Sequence, residues 1–385
     1  MRPPCFIVLT LAFSWTAALG NDPPVPCAPS PPAAKTAEPV WKEHLPFLQP
    51  GKLQGDPLLF VQAEGEPVAK TVLLKVPDSA PELRSATLER QYKHGKDFTW
   101  REGEREISLT ADSAIPFKKA AELHPEPNSP HSYNGFRDGK SWMLFGEGRY
   151  FHDLQCSASY SSQEAWHGPM PAAAKNALRK LRGKLQRRQT IRLVTLGDSI
   201  STGANASGHA AAPPLLMGYH DLVARGLEKQ FGVTVVDRNL SVGGMDSAWG
   251  LGQIPAVLAE TPDLVVVAFG MNDASAGRTV EQFVEIVREI RDRLQTARPE
   301  CSVILVSPMT ANPEWTHSRP DLYPAYAAGL ATLAGADCAL ADVTALWTAV
   351  LEKKTYLSLS GNGLNHPNDF GHRLYAGVVL ALIGE

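Results

Sequence analysis

The chain has 385 residues, 44% of them hydrophobic and 20% charged, with a formal net charge of −3. That composition belongs to a folded globular protein with room for two domains, and excludes a disordered or collagen-like chain. The near-zero charge leaves no global pull toward nucleic acid or an anionic membrane surface.

Residues 1–20 read as a secretory signal peptide: Arg2 gives a positive start, Cys5 to Leu19 is mostly apolar, and Ala18, Leu19 and Gly20 put small residues at the end. The apolar stretch is shorter than a bilayer span needs, and no later stretch is long and apolar enough, so no stable membrane insertion is expected. Pro23, Pro24, Pro26, Pro29, Pro31, Pro32 and Pro39 make residues 21–40 a linker.

From 41 to 165 short apolar or alternating runs (Leu58 to Gln62, Thr71 to Val76, Glu106 to Thr110, Trp142 to Phe145, Tyr150 to Tyr160) are separated by turn residues. This predicts an all-β accessory domain, a sandwich or jelly roll. Trp100, Tyr133, Phe136 and Trp142 in it are either core or stacking surfaces for sugar rings. Residues 166–190 carry Leu178, Leu181 and Leu185 at helical spacing among seven Lys and Arg residues, a linker helix with a basic face. No aromatic is interleaved to stack on bases, so no nucleic-acid partner is expected.

From 191 onward, apolar strand candidates at 191–196, 233–238, 264–269, 302–307 and 338–342 alternate with helical patterns. The clearest is Thr279 to Leu294, with Val280, Phe283, Val287, Ile290 and Leu294 on one face. This alternation predicts right-handed βαβ units and a parallel sheet, with a site at the C-terminal strand ends. Special residues cluster there: Gly197, Asp198 and Ser199 after the first strand, Asn239 to Gly244 after the second, Gly270 to Asp273 after the third, and Gly361 to Asp369 near the end.

Those four blocks resemble an SGNH hydrolase, the flavodoxin-like three-layer α/β/α branch of the GDSL esterases, over residues 191–385. Gly197-Asp198-Ser199 resembles the first block, Gly244 the second, Gly270, Asn272 and Asp273 the third, and His366-Pro367 the last. The resemblance implies Ser199 as nucleophile and His366 as base. It also implies an oxyanion hole from the Ser199 and Gly244 backbone N–H groups and the Asn272 amide. No metal or organic cofactor is required.

The chemistry agrees with these residue types. A hydroxyl needs a base to become a nucleophile, imidazole titrates near neutrality, and preorganised donors stabilise the tetrahedral oxyanion. Each residue also has an ordinary alternative. Ser199 can cap a helix that follows it, Asn272 can make an Asx-turn, Gly244 can serve a turn with Gly243 in its place, and His366 can be structural. Asp198 and Asp273 read as loop braces.

The family pattern places an aspartate three residues before the histidine, and this chain has Gly363 there. Three solutions are open. Asn362, a backbone carbonyl or water orients the ring; a distant carboxylate such as Asp369 or Asp342 approaches; or the site is weak or inactive.

An exported chain with a β-rich module before the hydrolase domain resembles carbohydrate esterases, which implies an O-acetylated carbohydrate as substrate. No long apolar lid segment of the lipase kind is visible. The alternatives are a lipase or thioesterase on the same site, and a non-catalytic carbohydrate-binding protein. Cys27, Cys156, Cys301 and Cys338 allow three pairings in an exported chain, with Cys301 and Cys338 able to meet if their strands are neighbours; free buried cysteines are the equal alternative. Asn205 with Ser207 and Asn239 with Ser241 match glycosylation sequons close to the proposed site.

Overall fold

A computed structural model describes residues 38–384. The expected signal peptide, most of the Pro-rich linker and Cys27 lie outside the described residues.

In the C-terminal half, five parallel strands form one sheet in the order Val235–Asn239, Ile191–Gly197, Leu264–Ala268, Ser302–Val306, Cys338–Ala341. The inner strands Leu264–Ala268 and Ser302–Val306 are buried at every position, which is why they read as continuous apolar runs rather than alternating ones. Helices cover both faces. The helix Val280–Ala297 starts at a Thr279–Gln282 capping box and buries Phe283, Val284, Val287, Ile290 and Leu294. The order 2-1-3-4-5 is that of a flavodoxin-like doubly wound sheet. Its topological switch point lies between the first and third strands, where the motif-bearing loops emerge.

The N-terminal half is built from antiparallel sheets. One orders Gly51–Leu58, Cys156–Ser162, Glu82–Ser85 and Gln91–Tyr92; a second orders Phe98–Trp100, Glu106–Leu109, Lys70–Val72, Phe60–Gln62 and Phe117–Lys119. Within the second sheet the pair Phe60–Gln62 and Phe117–Lys119 runs parallel. A small ribbon pairs Ser132–Tyr133 with Met143–Leu144. The run Tyr150 to Tyr160 is not one strand. Tyr150–Leu154 is a helical turn, held by an Arg149–Asp153 ion pair and the Asp153 N–H on the Arg149 carbonyl, and the strand begins at Cys156. Trp100, Tyr133 and Phe136 pack against the core with part of their surface in solvent.

The basic segment forms the helix Arg179–Gln186, with Leu181 and Leu185 buried. Its lysines are engaged: Lys180 pairs with Asp337 at 3.2 Å and Lys184 with Asp263. Cys156, Cys301 and Cys338 are free and buried, although Cys338 sits on the strand next to the one that follows Cys301. Burial pushes the Cys301 and Cys338 thiols up to about 12. Among the described residues no helix is long and apolar enough to cross a membrane.

Residues 38–384 lie in one compact unit whose main hydrophobic core draws on both halves, with Leu59, Leu144 and Phe151 in a smaller cluster, and a chain of polar contacts crosses between the β-rich half and the stretch leading to His366. Asp56, fully buried, pairs with Lys354 at 2.8 Å and accepts from the Tyr160 hydroxyl and the Leu74 N–H, each at 2.7 Å. The Gln155 amide donates to the Leu357 and Ser360 carbonyls at 2.8 Å. Its oxygen accepts from Asn368, the N-cap of the helix Asp369–Ile383. Burial holds the Lys354 ammonium below its ordinary range against the pull of Asp56. Removing one partner of such a pair strands the other charge without water. Asp56→Ala is therefore expected to cost about 3–5 kcal/mol of stability, measured by chemical denaturation.

Candidate active site

The strand Ile191–Gly197 ends against its neighbour so tightly that only glycine fits. A Cβ on Gly197 would lie 2.3 Å from Ser201 Oγ and 2.6 Å from the Ala268 carbonyl oxygen. No helix starts at Ser199, contrary to the helix-cap alternative. Residues 199–205 wind through successive tight turns, with Thr202 N–H on the Asp198 carbonyl and Ala204 N–H on the Ser199 carbonyl. The next helix begins at Tyr219. Buried Asp198 braces this turn by accepting the Ile200 N–H at 2.9 Å.

Ser199 Oγ lies 2.9 Å from His366 Nε2. The loop carrying His366 is closed on itself: Gly361 N–H and Ser360 Oγ both donate to the His366 carbonyl, and His366 N–H donates to Asn362 Oδ1. The other ring nitrogen, Nδ1, lies 2.7 Å from Asn205 Oδ1. The Asn205 amide nitrogen faces the Gly361 and Gly148 carbonyls, at 3.1 and 3.3 Å, which leaves its oxygen for the imidazole. Nδ1 therefore carries the proton, and Nε2 presents a lone pair to the Ser199 hydroxyl. Asn205 reaches this position from a left-handed backbone, φ +63°, which asparagine tolerates better than most residues.

Asn362 does not orient the ring. Its oxygen is consumed by the backbone N–H groups of Leu364, Asn365 and His366, and its nitrogen donates to Asn365 Oδ1 and to Glu147 Oε1 at 3.1 Å. Asp369 accepts the Ser207 N–H at 2.7 Å, and Asp342 caps the helix Val343–Leu351; these are their partners, not the imidazole. Glu147, a residue not singled out in the sequence, places Oε2 3.7 Å from His366 Nδ1.

Gly243 packs against Ser199: a Cβ there would sit 3.6 Å from Ser199 Cβ. Gly244 turns the chain with φ +78°. Asn272 follows the third strand in the helical turn Met271–Ser275, and its amide nitrogen donates to the Met245 carbonyl at 2.8 Å, leaving its second N–H uncommitted. Asp273 is a brace, accepting from Ser247 and pairing with Arg278 at 2.7 Å. Both sequon asparagines are engaged. Asn205 is buried, and Asn239 donates to the Ser201 carbonyl at 2.7 Å.

A flavodoxin-like sheet with a serine and a histidine paired at its strand ends defines the fold as that of the SGNH hydrolases. Residues 195–374 match the model of the GDSL-like Lipase/Acylhydrolase family, and the chain carries a domain of that family. A stretch of 109 residues, 28% of this chain and 47% of the relative, is 34% identical to thioesterase 1/protease 1/lysophospholipase L1 of Escherichia coli. The chain thus spans about half the length of the curated relatives it matches. Among solved structures, it is similar to a two-domain esterase active on acetylated mannans, co-crystallised with mannopentaose (24% identity, 53% of this chain and 52% of that one, TM-score 0.42). It is also similar to an acetyl-xylooligosaccharide esterase from Geobacillus (20% identity, 51% and 94%, TM-score 0.42).

Burial pushes the Asp198 carboxyl up to about 7, against the pull of the Ile200 N–H and His366. Between its ordinary value and about 7 the folded chain holds a proton that the unfolded chain releases, so this group's contribution to stability falls as pH rises through that window. Asp198→Asn is expected to flatten the loss between about pH 4 and 7, by at most about 4 kcal/mol, read from denaturation curves at each pH.

Proposed function

We propose that this protein hydrolyses carboxylic esters through an acyl-enzyme on Ser199. The observation that carries the reading is the 2.9 Å approach of Ser199 Oγ to an imidazole nitrogen whose lone pair faces it, because Nδ1 is committed to Asn205. In the first step His366 Nε2 takes the hydroxyl proton as Ser199 Oγ attacks the ester carbonyl. The same proton then passes to the leaving alkoxide, and water repeats the cycle on the acyl-enzyme. The oxyanion would be met by the Ser199 and Gly244 backbone N–H groups and the free N–H of Asn272, with Gly243 lying close enough to share that role.

The substrate in this reading is an O-acetylated carbohydrate. The surroundings of the pair support a small acyl group and a hydroxylated leaving group. Gly243 and Gly244 are exposed, Glu147 and Asn365 put polar groups beside His366, and Asn272 is bonded to Met245, the residue after Gly244. Tyr133 on the ribbon and Phe145 just after it, with ring centroids 5.5 Å apart, precede Glu147 in the chain and offer partly exposed aromatic surface to a sugar. The N-terminal pattern at residues 1–20 accords with export to where such polymers are met. A second reading, a thioesterase or lysophospholipase for longer chains, is favoured by the E. coli relative and by Val242, an exposed apolar side chain beside Gly243.

Acetate release from acetylated polysaccharides, with nitrophenyl esters of increasing chain length alongside, separates the two. The first reading expects activity to fall beyond the shortest acyl groups, and the second expects it to rise. Ser199→Ala and His366→Ala are each expected to lower kcat by at least about a thousand-fold, and Asn272→Ala by about a hundred-fold. Wild-type turnover by Ser199→Ala would remove the acyl-enzyme reading.

A further inference from the structure

The site lacks the aspartate that the family pattern sets three residues before the histidine, and the structure shows what took its place. Gly363 has φ +89°. A Cβ there would lie 2.5 Å from the Leu144 carbonyl oxygen and 2.7 Å from Phe151 Cζ. The segment Leu144–Phe151 of the β-rich half fills the volume an aspartate side chain would need. The same segment carries a carboxylate, Glu147, to within 3.7 Å of His366 Nδ1.

The approach is built rather than incidental. Gly146 N–H donates to the Asn362 carbonyl at 3.2 Å, and the Asn362 amide nitrogen donates to Glu147 Oε1 at 3.1 Å. The Gly148 carbonyl accepts from Asn205 at 3.3 Å. Three contacts on three successive residues fasten the loop to the two asparagines that surround His366. Burial raises the Glu147 carboxyl, but the neighbouring His366 ring and the Asn362 and Asn205 amides outweigh it, so the group stays below the usual carboxylate range and is ionised at neutral pH. At 3.7 Å it is too far for a hydrogen bond to Nδ1, and its effect on the ring is electrostatic.

We propose that Glu147 and Asn205 divide the work of the missing aspartate, Asn205 fixing the tautomer of His366 and Glu147 stabilising the imidazolium formed during turnover. Both are positioning residues that act through the histidine. The proposal rests on the ester-hydrolysis reading above. The Ser199 proton goes to Nε2 and on to the leaving group. The Nδ1 proton stays on the ring, donating to Asn205 Oδ1, and Glu147 remains ionised throughout. A neutral amide can accept the Nδ1–H bond but cannot compensate the ring's positive charge; a carboxylate nearby can.

Other titratable groups face the same ring. Asp198, at the strand end, is fully buried with its carboxyl pushed up to about 7. His372, on the last helix, is kept neutral, burial lowering it to about 4. Glu147 is the carboxylate on the Nδ1 side and, with half its side chain exposed, its influence is open to salt.

The test is Glu147→Gln in the full chain, which keeps the shape and an acceptor for Asn362 and removes the charge. Two readouts are taken together: the protonation midpoint of the His366 ring by NMR, and kcat and KM on nitrophenyl acetate across pH. Loss of a nearby negative charge makes the imidazolium less stable, so the midpoint and the acid limb of kcat/KM are expected to move down by about half a pH unit to one. We expect kcat to fall about ten-fold with KM within about two-fold, and the wild-type–variant difference to shrink in 1 M salt. Glu147→Asp, too short to reach, is expected to fall between the two. An unmoved midpoint overturns the proposal, even if kcat drops, because a merely structural residue would lower activity without moving the titration. If no variant or wild-type protein turns over ester, or Ser199→Ala remains active, the ester reading fails while the NMR midpoint still decides the role of Glu147.

Discussion

The contact on which the site depends is the 2.7 Å approach of Asn205 Oδ1 to His366 Nδ1. A neutral imidazole has one proton to place and one lone pair to offer. Committing the proton to Asn205 turns the lone pair toward Ser199; the reverse tautomer would set the Nδ1 lone pair against the Asn205 oxygen and leave Nε2 a donor, unable to take the Ser199 proton. The sequence invests heavily in holding that amide. Asn205 accepts a left-handed backbone, is buried, and has its nitrogen clamped between carbonyls from both halves of the chain. Gly361 yields to it, since a Cβ there would lie 2.4 Å from Asn205 Cβ.

The β-rich half is part of this arrangement rather than an appendage to it. The stretch from Lys354 to Asn368, which ends just past His366, is gripped along its length: Lys354 by Asp56, Ser358 by the Leu59 N–H, Ser360 and Asn368 by Gln155, Asn362 by Gly146 and Glu147. Several of these groups are fully buried, where each hydrogen bond lost leaves an unpaired partner and its desolvation cost. A stretch held this way, with only the helical turn Tyr356–Leu359 inside it, can keep in place a histidine that itself belongs to no strand or helix.

Much of this was legible in the sequence, for a physical reason. Parallel strands buried on both faces must be apolar throughout, and a chain can turn off their crowded ends only with residues such as Gly197, so strand positions and motif loops announced themselves together. Gly363 was legible as an absence. Its replacement was not, because Glu147 and Asn205 meet His366 only through tertiary packing; no period or motif ties an exposed Glu-Gly pair or an asparagine in a turn to a histidine more than a hundred residues later. The expected strand Tyr150 to Tyr160 concealed the same region. Its alternation was real, but an Arg149–Asp153 pair closes a helical turn at its start, and that turn sets Phe151 against Gly363.

Dividing orientation from charge has a consequence for how the two halves depend on each other. An aspartate on the histidine loop would carry both functions within one short segment, indifferent to what lies beside it. Here the directional hydrogen bond comes from the α/β half, while the nearest carboxylate on the Nδ1 side comes from a loop whose place is fixed by docking. Because Leu144 and Phe151 also occupy the space beside Gly363, the loop cannot lift away without uncovering Gly363 and removing the charge in the same movement. Packing of the β-rich half and the electrostatics of His366 are thereby tied together through residues that look, in the sequence, like those of a separate domain.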